Sequence, residues 1–131
     1  MSRRDLIKAL NNLCDSMNYH YDINCGGCCF VAAVLAEQLE YYHIPFKVAI
    51  THYPTHYAIK IKDRYINRDD YKFMDFYDYD SKKLYWIYNV NDWNDVYNRR
   101  WNLIVKTRIK SIFKQYGNNL RRRCVNSSSW G

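Results

Sequence analysis

A single α+β domain is predicted by three features of the chain. Apolar residues recur at helical spacing over the first third, alternate as in strands through the middle, and return to helical spacing near the end. At 131 residues the chain is long enough to bury one real core, and no repeat or Pro/Gly/Ser-rich linker marks a boundary within 1–131. Fourteen tyrosines, four tryptophans and five phenylalanines make it a folding chain in spite of its low mean hydropathy.

Within residues 1–20, positions 3 to 17 predict a helix with Leu6, Leu10, Leu13 and Met17 on one side. "CCFVAAVLAEQLEYY" is the clearest helix, with Cys28, Ala32, Leu35, Leu39 and Tyr42 at steps of three and four. "IPFKVAI" (44–50) predicts a strand entered through Pro45. "HYAIKIKDRYIN" predicts a hairpin: "YAIKI" alternates, Lys62 and Asp63 turn, and "RYIN" returns. Residues 71–82, rich in tyrosine and aspartate, fit no element, and "KLYWIYNV" reads as a further strand. A basic helix is predicted over 92–117, from about Asp92 to Tyr116, with Val96, Ile104, Val105, Ile109, Ile112 and Phe113 as its apolar face. Gly117 should end it, leaving 118–131 as a basic tail.

The opening "MSRRDLIKALNNL" is charged and amphipathic, unlike a signal peptide, and no apolar run approaches the roughly 20 residues of a membrane span. Five cysteines without an export signal fit free thiols in a reducing compartment, so a soluble, cytoplasmic protein with no membrane partner is expected. The net charge of +7 is uneven: nine Lys and Arg and no acid follow position 97, while 11 basic and 13 acidic residues leave the first 96 positions at −2.

Chemistry is suggested by "INCGGCCF". Gly26 and Gly27 each cost about 1 kcal/mol inside a helix, so they should form the turn before one and put Cys28 in its first turn. Unpaired N–H groups and the positive dipole end lower a thiol's pKa there, and the missing side chains would let a substrate backbone approach. A nucleophilic thiol also needs an imidazole to take its proton and a third group to hold that imidazole. His56 opens the best-alternating strand. If the hairpin closes through Lys62 and Asp63, Asp69 lies opposite His56 and Asn67 one pair along, and both are in reach.

These residues resemble a known superfamily. "CGGCCFVAAV" resembles the papain pattern C-G-S-C-W-A-F-S-A-V, whose second cysteine, the nucleophile, falls on Cys28. "GGC", a helix and "IPFKV" also resemble the transglutaminase-like pattern G-x-C, helix, G-I-P-A-R, with a histidine strand and a polar third residue following, as in "HYAIKIKDRYIN". The resemblance spans about residues 22–70, within a candidate catalytic core of 24–70. It implies a papain-like or transglutaminase-like fold with the nucleophile helix on an antiparallel sheet. It further implies a cysteine peptidase (thiol protease), amidase or acyl transferase acting on a peptide or protein without a cofactor. Cys28, His56 and either Asn67 or Asp69 are then the catalytic set. The sequence departs from the patterns in having Cys29 after the nucleophile, Asp22 where papain keeps its oxyanion glutamine, and His43 for the glycine of G-I-P. Asn24 could donate to the oxyanion with the Cys28 N–H. The D-C-G-x-A-C-L of bacteriocin-leader peptidases and the D-C-S-G of cell-wall amidopeptidases instead put the nucleophile on Cys25.

Three other readings compete. Buried cysteine is common, and packing suits Cys14, Cys29 and Cys124. Cys25, Cys28, His52 and His56 could hold a structural zinc, although the 23 residues between the pairs include a helix and a strand, unlike a compact finger. The chain could instead be a non-catalytic module whose basic C-terminal helix binds protein or nucleic acid. Arg121, Arg122 and Arg123 would then meet phosphates, also as an accessory contact in an enzyme.

Overall fold

The structure is a computed structural model that describes residues 1–24, 26–69, 73–91 and 96–129, with side chains except at 96–99 and 121–129. The observed class is α+β: four helices and a four-stranded antiparallel sheet, the last helix being long.

Helix α1 (Arg3–Tyr21) begins at a capping box, in which the Ser2 hydroxyl accepts from the Asp5 N–H at 3.1 Å and the Asp5 carboxylate accepts from the Ser2 N–H at 3.3 Å. Leu6, Ile7, Leu10, Cys14 and Met17 form its buried stripe, and it stops at Asp22, which is left-handed (φ 50°). Helix α2 (Cys28–Tyr41) is the centre of the molecule. Ten of its 14 residues are buried, which makes it apolar all round and places neighbours on every side. It ends in a Schellman arrangement: Ile44 N–H reaches Leu39 O at 2.9 Å and His43 N–H reaches Glu40 O at 3.1 Å. His43 sits at the left-handed position of that motif, φ 55°, where glycine is the unstrained residue.

The sheet runs β3-β2-β1-β4, from β1 (Lys47–Thr51), β2 (His56–Ile61), β3 (Arg64–Ile66) and β4 (Met74–Tyr77). Val48, Ile59 and Ile66 are register partners and give the sheet one continuous apolar face. The hairpin closes through Lys62 and Asp63 and pairs Ile61 with Arg64 and Ile59 with Ile66; the ladder stops there, before the left-handed Asn67, and Asp69 reaches His56 through its side chain.

Two expectations are corrected. "KLYWIYNV" is helical, within α3 (Ser81–Val90). Its aromatic and β-branched residues favour a strand locally, but Leu84, Ile87 and Tyr88 sit at steps of three and four and are buried against α2. The Asp80 carboxylate caps the Lys83 N–H at 2.8 Å, and Glu40 of α2 accepts from the Ser81 N–H and hydroxyl at 2.6 and 2.8 Å. Burial and caps outweigh propensity here.

The second correction concerns Gly117, which does not end the last helix. Helix α4 (Val96–Ser129) runs through it and makes 118–129 helical; the expected start at Asp92 lies outside the described residues. Val105, Ile109, Phe113 and Tyr116 face inward, and at Gly117 an added Cβ would lie 2.5 Å from the Tyr42 hydroxyl. The missing side chain makes room for the Tyr42 ring. No described helix is long and apolar enough to cross a membrane.

Candidate active site

The segment before α2 is a tight return. Gly26 takes φ 89°, and at Gly27 an added Cβ would lie 2.4 Å from the Ile23 carbonyl oxygen. The close approach that Gly27 permits is thus to the chain itself, and it delivers Cys28 as the first residue of α2. Cys28 is 4% exposed. Backbone N–H donors at Tyr57, Cys29 and Cys28 favour its thiolate form. Burial nevertheless pushes the Cys28 thiol up, and the Asp69 charge adds to this against those donors. The expected lowering by the helix end is overturned by desolvation, and Cys28 is a neutral thiol near pH 7 in this conformation.

His56 opens β2 and is 3% exposed. Its Nε2 meets the Asn67 backbone oxygen at 2.5 Å, and its Nδ1 lies 3.1 Å from Asp69 Oδ2. Both partners are acceptors, so the ring offers each an N–H only when it carries two protons. Asp69 reaches both members of the set: it bonds His56 and acts through its charge on Cys28. No hydrogen bond joins the Cys28 sulfur to the His56 ring among the described residues. Strand alternation explains this. His56 and Tyr57 leave opposite faces of β2, and it is Tyr57 whose ring lies within electrostatic reach of Cys28 and Cys29. Cys28 thus has Tyr57 within electrostatic reach, while the His56 ring, one residue earlier in β2, turns to Asn67 and Asp69.

Asn67 is the hub of the surrounding polar network. It is left-handed (φ 61°) and 8% exposed. Its N–H reaches Asn11 Oδ1 at 2.9 Å, and its side-chain amide pairs reciprocally with that of Asn24 at 3.0 and 3.3 Å. The Asn67 carbonyl, and not its side chain, meets the imidazole. The Asn24 amide, a candidate oxyanion donor, is engaged with Asn67, and the Asn24 N–H is held by Asn18 Oδ1 at 3.1 Å. Asn11 and Asn18 escaped the sequence reading. Both lie on α1, outside residues 24–70, and only a polar residue on the inward side of an amphipathic helix could have signalled them.

The other candidates lie apart. Cys25 is outside the described residues, as are the side chains of Arg121, Arg122, Arg123 and Cys124. Cys29 donates to the Leu84 carbonyl at 3.4 Å, and burial pushes it and Cys14 to about 12. His52 is exposed and pairs with Asp75 of β4 at 2.8 Å. Among the described residues no three His, Cys, Asp or Glu gather as a metal site. A groove of about 600 Å³ lies between α2 and α4, lined by Glu37, Glu40, Tyr41, Lys110 and Lys114 among others, away from Cys28. No family model matches the chain, and neither a curated protein nor a solved structure gives a significant match.

Proposed function

We propose that the chain is a papain-like or transglutaminase-like cysteine hydrolase or acyl transferase acting on an amide or isopeptide bond. Cys28 attacks the carbonyl carbon and its proton passes to His56. The tetrahedral oxyanion is met by N–H groups at the start of α2. His56 returns the proton to the departing amine, and water or a second amine releases the acyl group from sulfur. Asp69 holds the ring. The observation that supports this reading is the place of Asp69, which lies 3.1 Å from His56 Nδ1 and acts through its charge on Cys28 at the start of α2. The described conformation is then the closed one, in which the ring must leave the Asn67 carbonyl or Asp69 to serve the thiol. Cys25, next to the Asn24 that pairs with Asn67, is the alternative nucleophile.

A second reading, a non-catalytic binding module, is favoured by the sealed, protonated state of Cys28. Iodoacetamide labelling of the native chain near neutral pH, mapped by peptide mass, separates the two. The enzyme reading expects Cys28 to label ahead of Cys14 and Cys29, with a loss of at least about tenfold in rate in His56→Ala. Equal, slow labelling of all cysteines hands the case to the binding module, and fast labelling at Cys25 moves the nucleophile there.

A further inference from the structure

The charges of the sheet are sorted by edge. At the β4 edge the acids are matched: Asp75 pairs with His52, Asp78 pairs with Lys47, and Asp80 caps α3. At the opposite, β3 edge the order is reversed. A groove of about 490 Å³ between α1 and the hairpin is lined by Arg4, Ile7, Lys8, Asn11, Asn12, Arg64 and Tyr65, with no acid among them. Arg4 and Lys8 are exposed one helical turn apart, about 6 Å along α1. Arg64 is exposed across the groove, and Arg68 lies over the Tyr65 ring at 4.6 Å.

None of these four cations forms an ion pair among the described residues. The carboxylate within electrostatic reach of Lys8, Asp5, is held by the Ser2 cap. Three positive charges without an ion pair among the described residues therefore line the groove, with Arg68 beside them at Tyr65, in a stretch of chain whose overall charge is negative. Such an arrangement repels itself and is relieved by a polyanion, not by one small counterion. Beside the cations stand amide groups of Asn11 and Asn12 and a partly exposed aromatic ring.

We propose that this groove binds single-stranded nucleic acid. Arg4, Lys8 and Arg64 meet successive phosphates, and Tyr65, backed by Arg68, offers a face on which a base stacks. The surface is separate from the Cys28 cluster, and the proposal holds whether or not that cluster is catalytic. The two are joined by one bond: Asn11, in the groove, accepts the Asn67 N–H, and the Asn67 carbonyl holds His56.

The test uses the full chain and a fluorescein-labelled oligothymidylate of about twelve nucleotides, followed by anisotropy over a salt series. The triple variant Arg4→Ala, Lys8→Ala, Arg64→Ala is expected to bind at least about tenfold more weakly, with a log K against log salt slope shallower by about 2, at roughly 0.7 per lost phosphate contact. Lys110→Ala with Lys114→Ala, on the other groove, should stay within about twofold of wild type, because those side chains would make no phosphate contact. Tyr65→Phe should keep binding, and Tyr65→Leu should lose at least about fivefold. Thermal melts of each variant certify the fold. The proposal is overturned if wild type does not bind tighter than about 10⁻⁴ M at moderate salt, the weak end of non-specific binding. It is also overturned if the α4 pair loses binding while the groove variant keeps it. Equal groove-dependent binding of heparin, or tighter binding of a duplex, overturns it as well, since either would make Tyr65 irrelevant.

Discussion

Replacing Asn67 should reveal how much of the candidate site rests on one residue. Asn67→Ala removes the two amide contacts with Asn24, at about 1 kcal/mol each, and puts a Cβ-bearing residue without a polar side chain at φ 61°, for roughly 1 kcal/mol more. The expected loss is about 3 kcal/mol, a large part of the 5–15 kcal/mol that hold a typical domain. Asn67→Gly loses the same contacts without the left-handed strain, and should be milder by about 0.5–1 kcal/mol even though glycine loosens the unfolded chain. Urea unfolding gives the ranking Asn, then Gly, then Ala. Imidazole ¹⁵N shifts of His56 should move in both variants, because the carbonyl on Nε2 is carried by the same residue. Equal melts for Gly and Ala, or losses under about 0.5 kcal/mol in both, would refute the assignment of Asn67 as the hub, as would an unmoved His56 signal.

Three further outcomes are expected. Gly117→Ala should destabilise although alanine is the better helix former by about 1 kcal/mol, because its Cβ meets the Tyr42 ring; in a Tyr42→Leu background the same change should become neutral or stabilising by thermal melt. His43→Gly should raise the melting temperature through a gain of about 0.5 kcal/mol, as the strain at φ 55° exceeds the entropy glycine adds to the unfolded chain. Stability should fall with rising pH above the ordinary thiol value of 9.0. Cys14 and Cys29 keep their protons to about 12 when folded but lose them earlier when unfolded, so each removes about 1.4 kcal/mol per pH unit across that window. Below pH 9 their contribution is fully present and flat; Cys29→Ala should flatten the alkaline slope by one proton's worth in urea melts at stepped pH.

Much of the framework was legible because it is periodic and local. The stripe of α1, the apolar run of α2 and the Lys62–Asp63 turn are each set by residues a few positions apart. The turn fixes the register by counting, which is why Asn67 and Asp69 could both be placed within reach of His56 from the sequence alone. Where a local preference competed with a distant contact, the distant contact won. "KLYWIYNV" has strand-like composition, but Glu40 and Glu37 of α2 reach Ser81 and Tyr85 and hold it as a helix. Gly117 has the look of a stop signal, but its neighbour in space is Tyr42, 75 positions away.

The site divides along the same line. The sequence by itself put a thiol at a helix start made by two glycines, and a histidine within reach of Asn67 and Asp69 across a hairpin. Only the tertiary structure decided their state. Burial keeps the Cys28 proton on sulfur against its N–H donors, because removing water from a charge outweighs a few aligned dipoles. Strand alternation gives the His56 ring to Asn67 and Asp69, and Asn11 and Asn24 close the network from other parts of the chain. Desolvation and long-range hydrogen bonds depend on what packs where, and no window of neighbouring residues contains that information.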